Sequence, residues 1–215
     1  MAHKKGTIHI GANDGQEARG YFQKNIPVLW IEADPKVFLR LEKTIKDFSN
    51  QKALCALVTD KDDVEYDFLC DQNNCGQSSS IFDFHLHKKM FPKVIMGESL
   101  KLIGKTLPTI LKENHIDIKD YKHINIDVEG AELLVLKGIG SELCNFETII
   151  LEASDFEARK GQPLLKYIEE FMHLNNFVKT NQRKIHHADG VNVVDIEEGN
   201  YYEVSYKNNL CKTNF

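Results

Sequence analysis

The stretch Thr7-Ile8-His9-Ile10-Gly11-Ala12-Asn13-Asp14-Gly15 decides how this chain folds. Its first four residues read as a short buried strand, and Gly11 to Gly15 as the turn that ends it. Glycine tolerates tight backbone geometry and lets the backbone approach a ligand closely. A helix is expected over residues 16–24, stopped by Asn25 before Pro27. Val28-Leu29-Trp30-Ile31-Glu32 is then a continuous apolar run closing on an acid, as a central parallel strand is. Strand, glycine turn, helix and strand open an α/β sheet of doubly wound type.

Outward from this start the alternation continues. Asp34-Pro35 is a helix start, an N-cap followed by proline at the first helical position. Val37, Phe38, Leu41, Ile45 and Phe48 fall on one face of that helix. A third strand is expected over residues 53–59, a turn over 60–63 and a further strand over 64–69. Residues 70–97 lose periodicity, and long irregular stretches inside compact domains tend to be functional. A helix over 107–114, a strand over 124–128, a helix over 131–137 capped by Gly138 and a strand over 148–152 follow. Residues 163–174 are amphipathic, with Leu164, Leu165, Ile168, Phe171 and Met172 inward. Strands joined by tight turns are expected over 178–186, 191–196 and 201–206. The whole predicts a mainly parallel sheet with helices on both faces and an antiparallel edge.

Composition limits what such a sheet can do. The chain has 215 residues, 42% of them apolar and 27% charged, ordinary for a globular domain. A net charge of -5 argues against a dedicated nucleic-acid binder, which needs a basic surplus to neutralise phosphates. No apolar run approaches a membrane span, and Met1-Ala-His-Lys-Lys-Gly6 has no signal-peptide core, so a cytoplasmic protein is expected. The five cysteines (Cys55, Cys70, Cys75, Cys144 and Cys211) agree with a reducing compartment, being odd in number and free of CxxC pairs. Cys70, Cys75, His85 and His87 match no common zinc spacing and read as scattered thiols and imidazoles.

Two constellations carry chemistry. The Gly11–Gly15 turn is GxxxG, so the GxGxxG dinucleotide fingerprint is absent. Glu32 ends the second strand seventeen residues after Gly15, where a doubly wound sheet brings a carboxylate beside a ribose held above the first strand. The second constellation is Ile126-Asp-Val-Glu-Gly-Ala-Glu132. Asp127 closes the strand that faces the same crevice, while Glu129 and Glu132 read as acids favoured by the helix dipole. Glu152 closes the fifth strand, and a carboxylate there, like Asp127, can take a proton or hold a divalent cation. One of the two can instead bind a cofactor amino group. His186-His187 is an alternative base, and of that pair His187 is taken as the candidate, because adjacent strand residues point to opposite faces. His9 and His123 read as structural.

These motifs resemble the FkbM family of class I methyltransferases that use S-adenosylmethionine (SAM). The resemblance is carried by Ile10-Gly-Ala-Asn-Asp-Gly15, Ile31-Glu-Ala-Asp-Pro35, Ser78-Ser-Ser-Ile81, Thr106-Leu107, Ile126-Asp-Val-Glu-Gly-Ala-Glu132 and Val135-Leu-Lys-Gly138. It implies a Rossmann-like sheet of seven strands, mostly parallel with a reversed last strand, and a sugar hydroxyl as methyl acceptor. By that resemblance Gly11, Asn13 and Gly15 would cradle the methionine portion of SAM. Glu32 would bind the ribose, Ala56 and Leu57 would flank the adenine, and Asp127 would lie near the sulfonium. Ala12, Ala33 and Ser79 are counted with the cofactor-binding residues. Pro108 stands where the family often has an aspartate, and Ala153 follows Glu152 where related metal-dependent sugar enzymes have a second acid. No metal ligand is therefore assigned, although a magnesium ion stays open.

The expectation is an O-methyltransferase in which Asp127, Glu152 or His187 assists deprotonation of a carbohydrate hydroxyl that attacks the SAM methyl in line. Phe82, Phe84 and Phe91 either stack on a pyranose ring or pack a lid. Rival readings are a nucleotide-dependent oxidoreductase and a SAM-binding module without catalysis. Against the oxidoreductase stand the missing GxGxxG and the lack of a Tyr-x-x-x-Lys pair. Nucleic-acid and membrane partners are not expected. Because a strand begins within the first ten residues, residues 1–215 are read as a single domain cut from a longer polypeptide. Such a polypeptide would carry covalently linked glycan-processing domains.

Overall fold

The computed structural model describes residues 5–185 and 197–210. In chain order the elements are β1 (Gly6–Ile10), α1 (Ala18–Gln23), β2 (Val28–Glu32), α2 (Pro35–Ile45), β3 (Gln51–Cys55), β4 (Leu57–Val58), β5 (Val64–Asp71) and α3 (His87–Met90). There follow β6 (Met96–Lys105), α4 (Leu107–Glu113), β7 (Tyr121–Ile126), α5 (Glu132–Ile139), β8 (Thr148–Ser154), α6 (Leu165–Leu174), β9 (Phe177–Lys184) and β10 (Tyr201–Asn208).

The main sheet has seven strands in the order β3-β2-β1-β7-β8-β10-β9. Pairing is parallel from β3 through β8, and β10 runs antiparallel to both β8 and β9. The fold is thus the Rossmann-like α/β sheet with a reversed last strand. The antiparallel edge is as expected: the reversed last strand β10 lies between β8 and β9, and β9 forms the rim. The chain steps outward from β1 to β3 and returns to β7 on the other side of β1. That reversal opens a crevice above the carboxyl ends of β1 and β7, where ligands bind in open α/β sheets.

Alternation along the strands sorts side chains onto two faces. Ile8, Ile10, Leu29, Ile31, Ile124 and Ile126 pack with α4, α5 and α6 in the larger core. Val28 and Trp30 face the other way, against Ala18, Leu41 and Ile45 of α1 and α2. Trp30 is fully buried, and its indole N–H donates to Gln51 Oε1 at 2.9 Å. The Gln51 amide in turn donates to the Ala18 carbonyl at 2.7 Å, tying β3 to α1. Asp34 caps α2 by accepting from the backbone N–H groups of Lys36 and Val37, with Pro35 opening the helix.

Three departures from the sequence reading affect the site. The strand expected over 53–59 is split: its pairing with β2 ends at Cys55, and the Ala56 N–H, donating to the Glu32 carbonyl at 2.9 Å, makes the last rung. Beyond it β4 joins a second sheet of three strands, ordered β4-β6-β5, and its long β6 is an addition to the expected elements. Gly138 lies inside α5 and is not its cap. A Cβ there would stand 2.0 Å from the Thr59 carbonyl oxygen, so the glycine lets the helix touch that backbone. His186, His187 and the strand expected over 191–196 lie outside the described residues.

Candidate active site

The glycine turn is shaped by neighbours on both sides. Gly11 and Ala12 N–H groups donate to the Ile31 carbonyl at 3.0 and 3.1 Å, and the Asp127 N–H donates to the Ile10 carbonyl at 2.9 Å. The loops leaving β1, β2 and β7 are therefore pinned to one another at their first residues. Gly11 has φ +78°, and a Cβ on it would stand 1.6 Å from the Asp127 carbonyl oxygen. Only glycine fits where these backbones cross.

Glu32, 7% exposed, closes the ring. Its Oε2 accepts from the Asn13 N–H at 2.8 Å and its Oε1 from the Asp34 N–H at 2.8 Å. Each oxygen keeps lone-pair capacity toward the cleft. Burial pushes the carboxyl up to about 7, against those two stabilising N–H bonds.

Together these loops enclose a cleft of about 480 Å³, within the ~300–1,000 Å³ typical of small-molecule sites. Gly11, Ala12, Asn13, Glu32, Ala33, Ala56, Leu57, Ser79, Asp127 and Glu152 all line it. Gly15 does not: at φ +75° it turns away, and a Cβ there would stand 2.8 Å from Leu41 Cδ1. Its place is the packing of the turn on α2. Of the three phenylalanines only Phe91 lines the cleft; Phe84 packs behind it, with the Arg159 guanidinium 5.1 Å from its ring centroid.

The irregular stretch after β5 forms one wall. Asp71 organises it, accepting from the N–H groups of Asn74 and Ser78 at 2.8 Å each. The Cys75 carbonyl accepts from Asn13 Nδ2 at 3.2 Å and Arg40 Nη2 at 2.6 Å, which fastens the wall to the glycine turn and α2.

The floor is acidic. Asp127, Glu129, Glu132 and Glu152 all line the cleft. Burial first, then the charges of Glu152, Glu129 and Glu132, raise the Asp127 carboxyl well above the usual range. Burial, with Glu129 and Glu132 adding to it, pushes Glu152 up to about 8. Glu132 opens α5, the helix-start place expected for it, but it is a buried acid. It is 3% exposed, and its Oε1 accepts from the Val128 and Gly130 N–H groups at 3.2 and 3.1 Å, holding the turn before α5.

Opposite the acids stands an aromatic group. His87 stacks between Phe84 and Phe91, with centroids at 4.7 and 4.5 Å, and its Nδ1 lies 2.7 Å from the Tyr201 hydroxyl. His9 also lines the cleft, stacked on Trp30 at 5.0 Å, and burial pushes its imidazole down to about 4. His87, Tyr201, Gln162 and Arg159 were not legible as site residues. Each sits outside a motif, and only the folded chain brings β10 and the 156–162 loop to the cleft.

The sequence profile described as the methyltransferase FkbM domain matches residues 9–179. The chain belongs to the FkbM methyltransferase family. No curated protein matches it. Among solved structures, this FkbM chain is similar to an uncharacterized protein from Listeria monocytogenes serotype 4b, with TM-score 0.52 and 10% identity, covering 100% of this chain and 66% of that one. It is also similar to a precorrin-6y C5,15-methyltransferase from Geobacter metallireducens GS-15, with TM-score 0.51, 12% identity, and 96% and 82% covered. A third is magnesium protoporphyrin IX methyltransferase from Synechocystis PCC 6803 with bound SAM, with TM-score 0.51, 10% identity, and 95% and 70% covered. The FkbM chain thus spans just under two thirds of the length of the Listeria protein. At these identities the likeness is one of fold, that of SAM-dependent methyltransferases.

The residues present fit SAM. Glu32 offers lone pairs where a ribose needs acceptors, Gly11 brings bare backbone to the cleft, and Ala56 and Leu57 give an apolar wall. Among the described residues no three His, Cys, Asp or Glu side chains are grouped to hold a metal ion. Among the described residues no helix is long and apolar enough to cross a membrane.

Proposed function

We propose that this FkbM domain transfers the methyl group of SAM to a hydroxyl of a sugar in a glycan or glycoconjugate. The observation that supports it most is the meeting, in one cleft, of the Glu32 carboxylate with the raised carboxyls of Asp127 and Glu152. SAM, when bound, supplies an electrophilic methyl group on a positively charged sulfur. Gly11, Ala12 and Asn13 would hold its amino-acid end, Glu32 and Ala33 its ribose, and Ala56, Leu57 and Ser79 the base.

A hydroxyl becomes a nucleophile as its proton leaves, and a general base works best when its pKa lies near the working pH. Glu152, pushed up to about 8, meets that condition as proton acceptor. Asp127, against the glycine turn, would lie on the cofactor side and favour a cation beside it. Phe91 and Tyr201 offer ring surface to the apolar face of a pyranose, while the acids face its hydroxyls.

The test has two parts. Calorimetry with SAM and with NAD reads cofactor choice, and binding of NAD in preference to SAM rejects the proposal. Mass spectrometry of a saccharide panel after incubation with SAM reads the reaction. Gain of one methyl mass supports it, and an unchanged panel alongside tight SAM binding favours a non-catalytic module.

A further inference from the structure

Glu129 is held in place more firmly than a solvated helix-start acid requires. Its φ is +55°, and among the described non-glycine residues with positive φ only Glu129 and Cys75 are not Asn, Asp or His. Such a conformation is uncommon for a long side chain and persists only where surroundings enforce it. Here four contacts do so. The Ser80 hydroxyl donates to the Glu129 carbonyl at 2.8 Å. Glu132 accepts from the N–H groups on either side, those of Val128 and Gly130. Arg159 Nη2 lies 2.6 Å from Glu129 Oε2.

Arg159 has no surface role to explain its presence. Its side chain is 1% exposed, fixed by the Ser78 carbonyl at 3.0 Å and by the Phe84 ring. Burying a guanidinium is costly unless it is paired, and its carboxylate partner here is Glu129. That partner keeps 24% of its side chain open and lines the cleft. Oε2 is taken by Arg159, and among the described residues Oε1 receives no protein donor. The left-handed backbone and the buried cation thus combine to present one carboxylate oxygen to the cleft beside Asp127 and Glu152.

We propose that Glu129 binds the acceptor, its Oε1 accepting a hydrogen bond from a hydroxyl adjacent to the one that is methylated. The acceptor class is then a vicinal diol, with one hydroxyl handled by Glu152 and its neighbour held by Glu129. This assignment rests on the sugar-hydroxyl function proposed above.

Glu129→Gln is the informative substitution. The amide oxygen stays with Arg159, so the buried cation keeps a hydrogen-bond acceptor though not its counter-charge, and an N–H₂ group turns to the cleft where an acceptor stood. The probes are the saccharide methylated by the wild type and its analogue deoxygenated at the neighbouring position. The expected result is a rise in acceptor KM of about 10- to 100-fold, the usual effect of losing a hydrogen bond to a charged group. The thermal midpoint should fall, because a neutral amide no longer balances the buried charge of Arg159, while the calorimetric affinity for SAM and the circular dichroism spectrum should stay as in the wild type. On the deoxy analogue, wild type and Glu129→Gln should behave alike, since the bond is already missing. Equal acceptor KM on the full saccharide, or the same penalty on the deoxy analogue, overturns the assignment while leaving sugar methylation intact. If the wild type methylates no saccharide, the function proposed above fails first and takes this assignment with it.

Discussion

A Cβ on Gly11 would lie 1.6 Å from the carbonyl oxygen of Asp127, so the first and fourth parallel strands of the sheet exit with their backbones in contact. Gly11→Ala is expected to fail on two counts, the positive φ of +78° and a collision with backbone that no rotamer relieves. The combined cost should be at least about 3 kcal/mol, the range of the severe single substitutions. Urea denaturation checks it, and a variant with the wild-type midpoint would show that this crossing is looser than described.

Glu32 should matter for cofactor binding more than for folding when the change is conservative. Glu32→Gln keeps an oxygen for one of the N–H groups of Asn13 and Asp34 and sets an amide donor against the other. A ribose would then lose an acceptor, and SAM affinity should drop about 10- to 100-fold. Calorimetry reads the affinity and circular dichroism the fold. Undiminished affinity removes Glu32 from the ribose role.

Asp127 and Glu152 divide by the same logic. Asp127→Asn should lower turnover by at least about 100-fold, the scale on which a positioned electrostatic group in a cleft acts. Glu152 should instead set the pH dependence. With its carboxyl pushed up to about 8, kcat/KM should rise with pH and level off above that value. Glu152→Gln should abolish that inflection along with most of the rate. If the inflection survives in Glu152→Gln, another group is the base.

The glycine turn, Glu32 and Asp127 were legible because each sits where apolar periodicity stops, at the end of a buried strand. That position is set by local sequence. β6 was not legible: Glu98, Ser99 and Lys101 interrupt Leu100, Leu102 and Ile103, and of the strand's residues only Gly104 is buried. Its pairing with β5 comes from contacts far along the chain. Glu132 was legible as a helix-start acid, but not as a buried one, because its bonds back to Val128 and Gly130 form only when the turn before α5 closes. Arg159 gave no signal at all. A lone arginine acquires meaning only when the fold lays Glu129, Ser78 and Phe84 around it.

The acids of the cleft should also govern stability in the absence of ligand. Glu32 and Glu132 have carboxyls pushed up to about 7, and Glu152 to about 8, each from an ordinary 4.5. A carboxyl that holds its proton more tightly in the folded chain favours folding while protonated. That contribution is complete below pH 4.5 and is lost as pH rises through 7 and then 8. His9 acts in the opposite sense: pushed from 6.5 down to about 4, it favours folding above 6.5 and loses that contribution as pH falls through 4. Three carboxyls outweigh one imidazole, so the thermal midpoint of the ligand-free protein should climb as pH is lowered from about 8.5 to about 5.5. The climb should be shallow at about 8.5 and steepen toward about 6.5, as Glu152 and then Glu32 and Glu132 take up protons, and His9 holds it back below that value. Scanning calorimetry across that range checks the trend, and Glu152→Gln should flatten its upper part. A midpoint that falls steadily toward acid pH would mean that these carboxyls are ionised in the folded chain and would overturn the assignment of raised values to the acidic floor.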